Sequence, residues 1–251
     1  MKLTSNNKLG TKILTLTLIV LLTSLIFTTM LTTTAFAEPS GVSITNNRTE
    51  TGQTGAAGSS TTAGGTFTTM VLNLTQQTPR WKAYVGNVTG SFTLADNAGS
   101  TIYDWGETTS IAGEVYVSRN NNPSWTDIRC AQAGTITTEE TFLNMSPSSI
   151  DSIENTYNES VHKEFFVGTK KINESICPAI ATYINSAPQA SGVNADFQEI
   201  MLDDTSNIIY AAMLDQATLG YDNSNYDFQL IVPEDEYAST PTTYYFWVEL
   251  S

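Results

Sequence analysis

The chain has 251 residues and is acidic, with 25 Asp and Glu against 11 Lys and Arg, a formal charge of −14 and a pI near 4.2. Such a charge repels phosphate backbones and anionic lipid surfaces, so nucleic acid is excluded as a natural partner. The one histidine rules out a multi-histidine metal centre.

Residues 1–37 read as a signal peptide. Lys2, Lys8 and Lys12 form a basic start, residues 13–31 an uncharged, mostly apolar stretch, and Ala35, Phe36 and Ala37 a small-x-small cleavage site. The expected mature chain begins at Glu38 and works outside the cell, at its surface. The apolar stretch approaches the length of a membrane span, so a retained anchor, or a pilin-like leader cut after Gly10, is the alternative. No second run of that length follows, and no membrane contact is expected once the leader is removed.

Residues 38–65 are rich in Ser, Thr and Gly and nearly free of large apolar side chains, which predicts a flexible arm. Within it Val42 and Ile44 alternate with polar residues, a short patch able to add to a sheet edge if one is offered. Period-two alternation then predicts a strand over 66–74, with Thr68, Met70, Leu72 and Leu74 on one side. A second alternating strand is predicted over 87–94. The turn residues Asp96, Asn97, Ala98 and Gly99 lead into a partner strand at 101–103.

Further strands are predicted at 114–118, at 197–202 and 208–214 as a hairpin around 203–207, and at 228–232 and 244–250. Both faces of the last are apolar or aromatic, which predicts a central strand or one covered by a partner. One short helix is expected near 148–157, capped by Ser148, with Asp151 completing the box and Ile150, Ile153 and Tyr157 on one face. The strand count and turn spacing favour a β-sandwich over 66–251, Ig-like or jelly-roll-like, with a short helix and a flexible N-terminal arm.

Cys130 and Cys177 are expected to form a disulfide, as an even cysteine count outside the cell implies. N-glycosylation sequons stand at Asn47, Asn73, Asn87, Asn144, Asn158 and Asn173, the fourth disfavoured by Pro147 after its acceptor Ser146. Asp222, Asn225 and Asp227 offer hard oxygens in one turn, as calcium needs, although the spacing is not that of an EF-hand and a plain Asx-rich turn before Phe228 is the favoured reading. No other cofactor is implied. His162 has no nucleophile motif around it, so an ordinary polar histidine is the expectation and no catalytic residues are assigned. Trp81, Tyr84, Tyr103, Trp105, Tyr116 and Trp125 are candidates for a sugar-stacking strip, or else for the core.

The stretch Trp81-Lys82-Ala83-Tyr84-Val85-Gly86-Asn87-Val88-Thr89-Gly90, followed by Leu94-Ala95-Asp96, Ile102-Tyr103-Asp104-Trp105 and Gly113-Glu114-Val115-Tyr116, resembles a pattern in uncharacterised archaeal secreted cell-surface proteins. So does the ending, Tyr226-Asp227-Phe228-Gln229-Leu230-Ile231-Val232-Pro233 with Tyr244-Tyr245-Phe246-Trp247-Val248-Glu249-Leu250. The resemblance implies a surface or fibre role and transfers no catalytic residue. The functional expectation is a non-enzymatic subunit of a surface filament or layer, a homopolymer assembled by exchange of the arm through Val42 and Ile44. A carbohydrate-binding or adhesive module, taking glycans with or without calcium, is the alternative.

Overall fold

The computed structural model describes residues 38–61, 63–107, 112–235, 237 and 240–251. The leader assigned to 1–37 lies outside these. The fold is mainly β, with sheets packed as a sandwich and two helices. Among the described residues no helix is long and apolar enough to cross a membrane.

The strands in chain order are β1 (Ser40–Gly41), β2 (Trp81–Gly86), β3 (Ser91–Ala95), β4 (Thr101–Glu107), β5 (Gly113–Ser118) and β6 (Arg129–Cys130). Helices α1 (Ala133–Phe142) and α2 (Ile153–Thr156) come next. They are followed by β7 (Phe165–Val167), β8 (Lys170–Ile172), β9 (Ala179–Ala181), β10 (Gln198–Asp203) and β11 (Ile208–Met213). The chain ends with β12 (Thr218–Leu219), β13 (Asn225–Tyr226), β14 (Phe228–Pro233) and β15 (Tyr245–Leu250).

The main sheet runs β1-β15-β5-β11-β10-β6, and β9 pairs with β10 beside β6. Every residue of β5, β10 and β11 is buried, because both faces of these strands carry a layer. On one face Val115, Val117, Met201, Tyr210 and Ala212 pack under the antiparallel β2–β14 ribbon and the two helices. On the other, Tyr116, Ile200, Leu202, Ile209 and Ala211 pack under the β7–β8 hairpin and the segment carrying Cys177. Large apolar side chains buried this way each contribute about 1.5–3 kcal/mol.

Two buried carboxyls tie the layers together. Glu199 on β10 accepts the Ile231 N–H of β14 at 2.8 Å and meets the Tyr157 hydroxyl at 2.6 Å. Asp203, at the end of β10, accepts the Gln132 N–H and the Thr135 hydroxyl, both 2.9 Å, and an Arg129 Nε at 2.7 Å. Asp203 therefore caps α1 from another element, a task the N-cap residue Gln132 does not perform with its own side chain.

Of the strand predicted over 87–94 only residues 91–94 form one, in β3, which pairs with β4 with Leu94 opposite Tyr103; the hairpin predicted at 197–214 is present, with Met201 opposite Tyr210. Three further expectations are corrected. Residues 66–74 form no strand: the alternation is there, but within this chain no edge accepts it. The short helix begins at Ile153 and is capped by Ser152, whose hydroxyl accepts the Asn155 N–H at 3.2 Å, rather than by Ser148. Of the two alternatives for strand β15, central or covered by a partner, the first is ruled out, since only the two-residue β1 lies outside it.

Candidate functional site

The two margins of the main sheet are built differently. At one, β10 is closed along its length. Its residues Gln198, Glu199 and Ile200 pair with Ala181, Ile180 and Ala179 of β9, and Leu202 and Asp203 pair with Cys130 and Arg129 of β6. Met201, at the junction, donates to the Pro178 carbonyl at 2.8 Å and accepts from the Ala131 N–H at 3.0 Å. The Cys130–Cys177 disulfide joins β6 to the residue two before β9, with 4.8 Å between its Cα atoms. The predicted cystine thus staples together the two short strands that seal this edge.

At the other margin β15 is covered by two residues. Ser40 stands opposite Val248 and Gly41 opposite Trp247. The two faces of β15 are well packed: Phe246 meets the Tyr84 ring edge-on at 5.1 Å on one side, and Trp247 meets Trp125 at 5.5 Å on the other. Its two-sided apolarity is therefore satisfied face by face, while its outer edge beyond Trp247 has no strand on it among the described residues. Val42 and Ile44, the predicted assembly residues, are 43% and 61% exposed and lie just past the paired residues. Continuing the same register would set Val42 opposite Phe246 and Ile44 opposite Tyr244, on the face where Phe246 and Val248 join the core.

Directly behind this seat lie two buried acids. Glu249 of β15 and Glu114 of β5 are paired in register, and the Tyr116 hydroxyl is 3.2 Å from the first and 3.3 Å from the second. The Gly168 N–H donates to both Glu249 oxygens, at 3.0 and 3.1 Å. Burial, then the neighbouring Glu249 charge, pushes the Glu114 carboxyl up to about 8, and burial raises Glu249 as well. One step back along the arm's register from Ser40, buried Pro39 falls opposite Glu249. Gly113 permits this close arrangement: at φ +134° it occupies a region side chains avoid, and a Cβ there would strike the Glu249 carbonyl. A cavity of about 270 Å³, lined by Glu114, Glu249, Lys163, Phe165 and Met213, opens beside the pair. The two acids meet at one phenol, and the pair's sequence signal is slight: two Glu residues at inward positions of otherwise apolar strands.

The other predicted positions are dispersed. All six sequon asparagines, Asn47, Asn73, Asn87, Asn144, Asn158 and Asn173, are exposed, although the Asn144 amide donates to Asp235 at 2.7 Å. The calcium candidates serve the turn instead. Asp227 accepts the Val88 and Ala217 N–H groups, each at 2.9 Å, and Asp222 accepts the Ser224 N–H at 2.9 Å and the Tyr226 hydroxyl at 3.1 Å. Asn225 lies in β13, opposite Leu219. Among the described residues no three His, Cys, Asp or Glu side chains gather as a metal would require.

His162, expected as an ordinary polar histidine, is fully buried and hydrogen-bonded. Its Nδ1 lies 2.7 Å from the Lys163 carbonyl, and its Nε2 accepts the Ile176 and Cys177 N–H groups at 3.2 and 3.0 Å, so it positions the cystine loop. Burial lowers its pKa, which suits a neutral ring that donates at one nitrogen and accepts at the other. The six aromatic candidates do not form one strip. Trp81, Tyr84, Tyr116 and Trp125 are in or against the core, whereas Tyr103 and Trp105 are exposed on β4 with ring centres 5.0 Å apart.

No protein family, curated protein or solved structure matches the chain.

Proposed function

We propose that this protein is a non-enzymatic extracellular structural subunit that forms a cell-surface homopolymer by exchanging its N-terminal arm between copies. The observation that carries the reading is the asymmetry of the main sheet. One margin is closed by β9 and β6 and stapled by a disulfide, while the other is met by two residues of a long, exposed arm. A strand edge open to main-chain pairing is a docking site for another chain, and a head-to-tail addition of this kind does not close on itself. The register supports the arm as donor, because extending it places Val42 and Ile44 on the face of β15 that joins the core. The export signal expected at 1–37, the cystine and the six exposed sequons support an oxidising, glycosylating exterior.

The test is site-directed cross-linking. Two differently tagged copies, one Val42→Cys and the other Phe246→Cys, are mixed under mild oxidation. A covalent hetero-dimer carrying both tags is expected. Cross-links confined to a Val42→Cys/Phe246→Cys double variant, never joining separate copies, would show the arm to be an intramolecular clasp and overturn the proposal.

A further inference from the structure

We propose that the β3–β4 hairpin takes residues 66–74 of a second copy of this chain as a third strand along the free edge of β4. The inference rests on the assembly reading above, and it adds a contact separate from the β15 seat.

The hairpin stands outside the sandwich. All five residues of β3 are exposed, and β3 and β4 pair only with each other among the described residues. A two-stranded ribbon is marginal in water by itself. This one also carries an apolar plate. Leu94 and Tyr103 are directly opposite, Phe92 lies two residues from Leu94, and Trp105 two residues from Tyr103, so the four share one face. The register shifts by one residue near Gly106, whose φ of +77° and N–H bond to Asp104 at 2.6 Å mark a bulge that presents Trp105. The β4 side is the more open, with Ile102, Tyr103 and Trp105 at 79%, 59% and 62% exposure, against 39% and 56% for Phe92 and Leu94.

Residues 66–74 have the complementary deficiency. They hold a strand-like alternation without a strand, and Phe67, Met70, Val71, Leu72 and Leu74 are all exposed. At about 3.3 Å per residue, nine extended residues cover the seven of β4. Added at that edge in the right phase, Met70, Leu72 and Leu74 continue the plate. Asn73, a sequon residue, then points to the opposite face, where a glycan has room. Charge is compatible with the same contact: without Lys2, Lys8 and Lys12 of the leader each copy carries 25 acidic against 8 basic residues, a formal −17, so copies repel in general, whereas 66–74 contains no charged residue and adds nothing to that repulsion. Among the described residues of one chain neither feature is covered, and the match between the two makes a second copy the occupant we propose.

The full chain, recovered after the host's own processing, is compared with Leu72→Asp in the donor and Trp105→Asp in the acceptor. Both positions are exposed, and near-UV circular dichroism checks that the fold is intact. Sedimentation is expected to show self-association weakened at least ten-fold in each variant. A one-to-one mixture of the two is expected to recover association, since each pair then retains one intact donor and one intact acceptor. If the parent associates and both variants match it, or if the mixture associates no better than either variant alone, the contact is wrong while the assembly reading stands. A parent that stays monomeric at every concentration defeats the assembly reading itself. Shielding of Trp105 from iodide quenching by added oligosaccharides, with no dependence on protein concentration, would assign the plate to glycans and overturn the proposal.

Discussion

Replacing Glu199 by Gln should remove a large part of the protein's pH dependence. Glu199 is fully buried, and burial raises its pKa from 4.5 to about 8. The geometry suits the neutral acid. One oxygen accepts the Ile231 N–H at 2.8 Å, and a proton on the other donates to Tyr157, whose hydroxyl lies 3.2 Å from the Ile231 carbonyl and donates onward. A glutamine amide reproduces each of these bonds. Between pH 4.5 and about 8 the folded protein keeps a proton that the unfolded chain has released, so stability falls as pH rises. The loss is about 1.4 kcal/mol per pH unit, amounting to about 5 kcal/mol across the span. Urea unfolding from pH 5 to 8.5 should therefore give nearly equal stability for parent and Glu199→Gln at the acid end. At the alkaline end the variant should be more stable by several kcal/mol, because Glu114 acts on both proteins alike. Parallel stability curves, or a variant weaker than the parent at pH 8, would refute the assignment of a neutral buried acid.

Other outcomes follow from the same structure. Replacing Cys130 and Cys177 by Ser should cost about 4 kcal/mol by loop entropy, lowering the melting temperature by roughly 10 °C, and should loosen the β6 and β9 amides first in hydrogen exchange. Tyr210 carries a buried hydroxyl that makes no hydrogen bond, so Tyr210→Phe should leave stability unchanged or raise it by about 1 kcal/mol in the same urea assay. At the acid side His162 acts in the other direction. Its lowered folded pKa means the unfolded chain takes up a proton first as pH drops below 6.5, so stability declines there, and His162→Gln should flatten that limb of the profile.

What could be read in the sequence was what is local. The turn from Asp96 to Gly99 and the alternation around it define the β3–β4 hairpin, because the Asp96 side chain accepts the Ala98 and Ser100 N–H groups within the turn itself. The cystine followed from a count of two. Helix α1 was missed because Thr occupies four of its ten positions and favours strands, and three of those hydroxyls bond back to carbonyls four residues earlier. Its stability comes from elsewhere, through Asp203 at its start and the Arg119–Glu139 pair at 2.5 Å. Residues 66–74 show the converse: the period was right, yet a strand needs an edge. The Glu114–Glu249 pair was hidden because strands 135 positions apart bring it together, a juxtaposition no local pattern encodes.

The central claim is that the arm joins one copy to the next, and sedimentation velocity of the purified protein with and without residues 38–65 tests it most directly. The intact chain should form a ladder of species growing with concentration. The truncated one, with its near-UV spectrum unchanged, should lose that ladder and shift to smaller species, held together by the separate 66–74 contact alone. Indistinguishable profiles from the two proteins, whether both monomeric or both polymeric, would contradict assembly through the arm.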